Sequence, residues 1–138
     1  MYQDEINVRV RYAETDQMGY VYYGHYAMYY EVARVETFRN LGFVYKKLEN
    51  QGIMMPVLES HSKYLAAAKY DDLLTILVSI PTLPSVKITF LYKIYNEHGE
   101  FINEGETLLA FINMETGKPC RPPQEMIDLL APYYEGED

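Results

Sequence analysis

The sequence predicts an α+β domain in which an antiparallel sheet packs against one long helix. The chain has 138 residues, a length typical of one compact domain, so we expect a single domain over 1–138. The segment from Tyr26 to Leu41 contains neither proline nor glycine and fits one continuous helix. Beyond Gly52, four consecutive segments are rich in β-branched and aromatic residues, which favours a run of antiparallel strands.

The N-terminal part of the chain supplies one strand and two helices. Apolar and polar residues alternate over 7–12, which predicts a short half-buried strand. A loop containing Asp16 leads from this strand to the long helix. The first half of that helix is apolar on nearly every side, so we expect it to be buried on most faces. Gly42 is a natural stop for the helix, and a second, shorter helix is expected over 45–51.

The remainder of the chain alternates between strand-forming and turn-forming segments. The four strands are expected near 53–68, 73–80, 86–96 and 101–113. The third strand alternates most regularly, with apolar residues on one face and lysines on the other. Pro122 and Pro123 open a short helix that reaches about Leu130, since proline is tolerated in a first helical turn. The last residues, 135–138, are expected to form an acidic tail.

Charge and composition exclude several classes of function. Twenty acidic residues against twelve Lys and Arg give a net charge of −8, which disfavours binding to nucleic acid or to an anionic membrane. Cys120 is the only cysteine, so neither a disulfide framework nor a multi-thiolate zinc site is expected. The spacing of His, Asp and Glu resembles no metal site, and we predict no metal and no cofactor.

Location and assembly follow from the same sequence. The N-terminus resembles no signal peptide, and no apolar run approaches the roughly 20 residues of a membrane-spanning helix, so we expect a cytoplasmic protein. One face of the predicted sheet is left without a covering element. Because pairing with a second copy would cover it, we expect a homo-oligomer.

The segment with the most chemical content contains Asp16 and the start of the long helix. A helix N-terminus offers free backbone N–H groups and a positive dipole end, which can stabilise an oxygen that becomes negative during acyl transfer. A nearby carboxylate can activate water or attack a carbonyl carbon. An aspartate in a glycine-containing loop is also a common turn former or helix cap, so the residues alone leave both roles open for Asp16.

Two sequence runs resemble the signature of a known enzyme family. R-V-R-Y-A-E-T-D-Q-M-G-Y-V-Y-Y-G-H-Y (9–26) and Y-E-V-A-R (30–34) resemble the hotdog-fold acyl-CoA thioesterases of the 4-hydroxybenzoyl-CoA thioesterase family, in its YbgC-type branch. Weaker likenesses follow in the same order through 68–72 to 116–123. The resemblance implies a hotdog fold, in which a curved, mostly antiparallel five-stranded sheet wraps a long central helix. It also implies hydrolysis of a CoA thioester to a free acid and CoA.

The resemblance assigns catalytic roles by position. Asp16 occupies the place of the family's essential carboxylate, as general base or nucleophile. The helix start at Tyr23 and Gly24 falls where a backbone N–H polarises the substrate carbonyl. YbgC-type members often have histidine at the position of Tyr23, so His25 is a further catalytic candidate if a side-chain imidazole assists.

Substrate-binding roles and assembly are implied in the same way. Gly19 forms the loop turn, and Tyr22 and Tyr26 are candidates for the lining of an acyl or aryl pocket. Lys87 is the first candidate for the phosphates of coenzyme A, since basic residues near the third long strand often bind them in the family. The expected partner is a second copy, in a homodimer or a dimer of dimers, which completes each site at the interface.

Two further functions remain as alternatives. The first is hydrolysis of acyl groups attached to a carrier protein, although an acidic carrier would be repelled by a protein of net charge −8. The second is an acyl-thioester-binding oligomer without catalysis, in which Asp16 would only be a cap. Fold alone does not separate these functions, because activity depends on the site.

Overall fold

The computed structural model describes residues 1–136, so the last two residues of the predicted acidic tail, 137 and 138, lie outside the described residues. The elements are β1 (Tyr2–Arg9), α1 (Tyr26–Leu41), α2 (Tyr45–Asn50), β2 (Ile53–Met54), β3 (Val57–Tyr64), β4 (Leu73–Ile80), β5 (Lys87–Tyr95), β6 (Phe101–Ala110), β7 (Ile112–Asn113) and α3 (Gln124–Leu130). Single 3₁₀ turns lie at Tyr12–Glu14, Tyr23–His25 and Ala131–Tyr133.

Five strands form one antiparallel sheet in the order β1-β4-β5-β6-β3. The short strands β2 and β7 pair with each other outside it. In this order β1 and β3 are the edges, and among residues 1–136 β3 pairs on one side only, with β6. The helix α1 packs against the inner face, which confirms the predicted α+β arrangement of a long helix on a five-stranded antiparallel sheet.

The predicted position of the first strand was wrong. The strand covers Tyr2–Arg9 rather than 7–12, and its buried face begins with Tyr2 and Ile6. The backbone of Val10 is hydrogen-bonded to the turn at Asp71 and Asp72, and the chain then enters a 3₁₀ turn instead of extending the ladder. Because acidic residues lie between the buried positions, the alternation of apolar and polar residues that identifies a strand is not regular here.

Two of the predicted strands are each interrupted. The segment predicted at 53–68 divides into β2 and β3 around Pro56, which has no N–H to donate to a sheet ladder. The segment predicted at 101–113 divides into β6 and β7 at Phe111, whose backbone N–H instead donates to the carbonyl of Val86. The alternation predicted for β5 is confirmed, since its inward side chains from Ile88 to Ile94 are at most 1% exposed.

The helix α1 is buried along one stripe rather than on nearly all sides, so that expectation was wrong for a single chain. The buried positions follow the three- and four-residue spacing of a helix face: Tyr26, Tyr29, Tyr30, Ala33, Arg34, Thr37 and Phe38. Outside this stripe Ala27, Glu31 and Val32 are exposed. Gly42 ends the helix in the left-handed conformation, with φ of 107°, as the sequence predicts.

One close contact fixes the distance between α1 and the centre of the sheet. The ring of Tyr30 stacks on Tyr92 with centroids 4.3 Å apart, and its hydroxyl donates to Oδ1 of Asn103 at 2.6 Å. Gly105 on β6 lies directly beneath this ring, and a Cβ added there would overlap the ring and hydroxyl of Tyr30. A glycine is therefore required at position 105 for the helix to pack this closely.

Candidate active site

The carboxylate of Asp16 is held by its own loop through one oxygen only. The backbone N–H groups of Met18 and Tyr20 donate to Oδ1 at 2.9 and 3.3 Å. The backbone N–H of Asp16 donates to the carbonyl of Tyr20 at 2.8 Å, and Gly19 turns the loop with φ of 78°. Within residues 1–136, Oδ2 has no hydrogen-bond partner. The loop thus orients the carboxylate and leaves one oxygen available.

The long helix is preceded directly by the 3₁₀ turn of Tyr23–His25, so the helical backbone begins at Tyr23. The N–H of His25 donates to the carbonyl of Tyr22 at 2.9 Å. The N–H groups of Tyr23 and Gly24 have no acceptor in the described part of the chain. Free N–H groups at a helix start are a favourable environment for a negative oxygen.

A cavity of about 370 Å³ lies against both features. Its walls are mainly aromatic and aliphatic: Asp16, Met18, Tyr20, Val21, Tyr23, Tyr26, Tyr64, Leu65, Ala66 and Ala67. Three of the residues predicted from sequence, Asp16, Tyr23 and Tyr26, are therefore brought together. Burial raises the pKa of Tyr26 to about 12, so its hydroxyl stays neutral around physiological pH.

Other predicted residues lie beside the cavity without lining it. The exposed ring of Tyr22 packs against Tyr23, with centroids 4.7 Å apart, and approaches the ring of His25 at 6.1 Å. The absence of a side chain at Gly24 leaves room for this ring, since an added Cβ would lie 2.8 Å from the Cε2 atom of Tyr22. His25 makes no side-chain cap hydrogen bond at the start of α1. Catalysis by His25 stays a prediction.

Lys87 lies at the opposite end of the sheet from the cavity. It pairs with Ala110 of β6, whereas Tyr64, in the cavity wall, pairs with Asn103 of the same strand. Seven residues of strand separate those two positions on β6, which corresponds to about 24 Å. Within one chain, Lys87 and the cavity are thus far apart.

Glu14 is a structural member of this region that the sequence did not single out. The residue is only 3% exposed, and its side chain accepts hydrogen bonds from the Arg11 backbone N–H at 2.9 Å, from Arg11 Nε at 2.8 Å and from the Tyr29 hydroxyl at 2.8 Å. Its backbone carbonyl accepts from the N–H of Tyr22. Glu14 therefore joins the loop of Asp16 to α1. The sequence feature that could have indicated this ion pair was the three-residue spacing of Arg11 and Glu14.

We expect Glu14→Gln to lower the free energy of unfolding by about 2 kcal/mol near neutral pH, because an amide cannot accept all three hydrogen bonds. Burial alone would raise the pKa of Glu14, but the hydrogen bonds from Arg11 and Tyr29 lower it below its ordinary value. A lowered folded-state pKa gives stability that is present above the unfolded pKa and is lost as the pH falls through the folded pKa.

Urea unfolding of wild type and Glu14→Gln, measured from about pH 7 to about pH 3, checks this prediction. The difference between the two proteins should shrink as the pH falls. Tyr29→Phe, which removes one donor to Glu14, should show a smaller difference of the same sign. A difference for Glu14→Gln that stays constant across the series would contradict the role assigned to the carboxylate.

Two further findings concern metals and membranes. No group of three or more His, Cys, Asp and Glu side chains within residues 1–136 is placed to hold a metal ion. None of the described helices combines the length and apolar character needed to cross a membrane.

Comparison with known proteins relates this chain to one family and to individual members with a similar sequence. The model of the family described as "Thioesterase-like superfamily" matches residues 10–130. The "Putative acyl-CoA thioesterase YneP" of Bacillus subtilis is 32% identical over 121 residues, which cover 88% of each chain. The "Acyl-CoA thioester hydrolase YbgC" of Escherichia coli O6:H1 is 31% identical over 120 residues, covering 87% of this chain and 90% of the relative.

A solved structure agrees with this relationship. The DHNA-CoA thioesterase of Staphylococcus aureus superimposes with a TM-score of 0.89 at 33% identity, over 98% of this chain and 91% of that chain. This agreement and the strand order confirm the hotdog fold that the sequence resemblance implies. From the family match over most of its length, the chain belongs to the thioesterase-like superfamily.

Proposed function

We propose that this protein is a thioester hydrolase that converts acyl-CoA to a free carboxylic acid and coenzyme A. One observation supports this proposal most directly. Within residues 1–136, a carboxylate with an unpaired oxygen, at Asp16, and the helix start at Tyr23, whose N–H has no acceptor, line the same largely apolar cavity, and the unpaired N–H of Gly24 follows directly. The relatives from Bacillus and Escherichia, whose names give them acyl-CoA thioesterase activity, support the substrate class.

The proposed chemistry uses the free Oδ2 of Asp16. As general base, it takes a proton from water while the water oxygen attacks the thioester carbonyl carbon. As nucleophile, it attacks that carbon itself and forms an anhydride, which water then hydrolyses. In both routes the carbon–sulfur bond breaks, and the sulfur leaves as the thiolate of coenzyme A and takes up a proton.

The helix start is proposed to stabilise the transition state. When the carbonyl carbon becomes tetrahedral, its oxygen becomes negative, and the N–H groups of Tyr23 and Gly24 are free to donate to it. Donors fixed in a largely apolar cavity favour the developing charge more than they would in water. The aromatic side chains of Tyr23, Tyr26 and Tyr64 are proposed to enclose the acyl group.

A second copy is proposed to complete the site. Antiparallel pairing of two β3 strands at their free edges would place the Val57 end of one copy beside the Tyr64 end of the other. Lys87 lies at the Val57 end, because Val57 pairs with Leu109, next to the partner of Lys87 on β6. The partner's Lys87 would then be near the cavity, where it is proposed to bind the phosphates of coenzyme A.

The test is a hydrolysis screen over short, long and aromatic acyl-CoA substrates, which follows the release of free thiol. We expect turnover with at least one of these classes. Absence of turnover with every class, together with measurable binding, would overturn the enzymatic proposal in favour of thioester binding alone. Matched substrates on coenzyme A and on an acidic carrier protein are compared in the same screen, and the net charge of −8 favours coenzyme A.

Replacing Tyr23 separates its backbone from its side chain. We expect Tyr23→Phe to leave kcat within about twofold of wild type, because the proposed donor is the backbone N–H, and removing an oxyanion donor would cost about 100-fold or more. The measurement is steady-state kinetics on the best substrate of the screen. If Tyr23→Phe instead slows turnover by about two orders of magnitude, the side-chain hydroxyl of Tyr23, and not its backbone N–H, stabilises the transition state. Tyr22→Phe is the control on the neighbouring exposed ring.

A further inference from the structure

Arg34 is a buried charge without a counter-charge. Its side chain on α1 is only 7% exposed, and its Nη1 donates to the hydroxyl of Tyr92 at 3.1 Å. Within residues 1–136, its Nε has no hydrogen-bond partner and no carboxylate lies within ion-pair distance of the guanidinium. Burial of an unpaired charge is unfavourable, so a negative group brought here from outside the described chain would stabilise the guanidinium.

A second cavity lies beside this guanidinium. It has a volume of about 330 Å³ and lies between α1 and the edge strand β3, with Arg34, Ser60 and Thr107 in its walls. Glu31, which is exposed, lines the same cavity and has no ion-pair partner within residues 1–136. The carboxylate of Glu31 would repel a small free anion at the opening. A larger partner that satisfies both charges fits better.

We propose that a second copy of this chain covers this cavity, and that Glu31 of each copy forms an ion pair with Arg34 of the other. In a twofold interface, when one residue contacts a second, the second contacts the first in the symmetry-related position. Glu31 and Arg34 are three residues apart on one helix. Two α1 helices that cross in opposite directions, with the axis between these positions, therefore place each Glu31 opposite an Arg34.

The surface around the pair has the character of an interface between copies. Val32 on α1 and Val57 and Leu58 on β3 are 40%, 47% and 48% exposed. The adjoining edge of β3 has unpaired backbone groups, and such an edge is suited to pairing with a second chain. The inference rests on the homo-oligomer of the proposed function but not on its chemistry.

Charge exchange tests the proposal on the full chain. Glu31→Arg alone places two arginines against each other, and Arg34→Glu alone places two glutamates together. We expect each variant alone to dimerise about 100-fold more weakly than wild type in sedimentation equilibrium. An equimolar mixture of the two variants should form a heterodimer. In that heterodimer the arginine introduced at position 31 faces the glutamate introduced at position 34, and the remaining Arg34 faces the remaining Glu31, so both pairs are attractive.

Controls keep the result interpretable. Circular dichroism verifies the fold of each variant, and Glu49→Arg makes the same charge change on the exposed surface of α2 and should dimerise like wild type. If Arg34→Glu does not fold, Arg34→Gln replaces it in a double-mutant cycle with Glu31→Gln, where the two losses should not add. A folded Glu31→Arg protein with wild-type dimer affinity overturns the proposal.

Two other outcomes are also decisive. Additive losses in the cycle would overturn the pairing of Glu31 with Arg34. Stabilisation of the wild type by acetate that is lost in Arg34→Gln, with dimer affinity unchanged in every variant, would overturn it in favour of a small carboxylate in the cavity. Dimerisation is measured without substrate, so a failure of the acyl-CoA screen leaves this test unaffected.

Discussion

Asp16→Asn is expected to slow turnover by about three orders of magnitude or more while the protein remains folded. The substitution is nearly isosteric, and the amide oxygen can still accept from the backbone N–H groups of Met18 and Tyr20 that now bond to Oδ1. The loop therefore keeps its turn. The second position becomes an NH₂ group, which can neither take a proton from water nor attack a carbonyl carbon, so chemistry is lost and binding is retained.

The measurement is single-turnover and steady-state hydrolysis of the best acyl-CoA substrate, with the dissociation constant of the same substrate measured on the variant. We expect binding within a few-fold of wild type. Asp128→Asn, at an exposed position on α3, is the matched control and should retain full activity. Full activity in Asp16→Asn would show that Asp16 is only a turn former and would remove the central residue of the proposed mechanism.

Gly105→Ala is expected to lower the free energy of unfolding by about 3 kcal/mol. The new methyl group would overlap the ring of Tyr30, which cannot move aside because it is buried, stacked on Tyr92 and bonded to Asn103. Either α1 is pushed away from the sheet or β6 shifts. Both changes disturb a core that is otherwise closely packed.

Urea unfolding of a double-mutant cycle with Tyr30→Leu identifies the cause. Tyr30→Leu is destabilising on its own, because it removes a buried ring and its hydrogen bonds. Once that ring is gone, adding Gly105→Ala should cost little, so the two effects should be clearly non-additive. Simple addition of the two losses would mean that the alanine clashes with something other than Tyr30.

The parts of the fold that the sequence predicts are those with an uninterrupted period. The helix α1 and the strand β5 are long enough, and regular enough, for their spacing to identify them. The strand β1 could not be located in this way, because Asp4 and Glu5 lie among its buried positions and because its pairing with β4 is a contact between distant parts of the chain. The exposed side of α1 was likewise hidden, since apolar residues occur on both of its faces.

The candidate site also contains some features that the sequence predicts and others that depend on the folded structure. The position of Asp16 could be predicted by resemblance, whereas the free oxygen of its carboxylate depends on two backbone hydrogen bonds and on the conformation of Gly19. Glu14 was missed because burial of a carboxylate depends on its partners, and Tyr29 is fifteen residues away. The distance of Lys87 from the cavity follows from strand register, which composition and motif do not reveal.

The tyrosine-lined cavity gives this protein an optical property of practical use. The chain contains fifteen tyrosines and no tryptophan, so its ultraviolet emission arises from tyrosine alone. Four of those phenols, at positions 20, 23, 26 and 64, line the walls around Asp16. A ligand that enters there changes the surroundings of these chromophores directly, with no indole signal to mask the change. Occupancy of the site can therefore be titrated on the unlabelled protein.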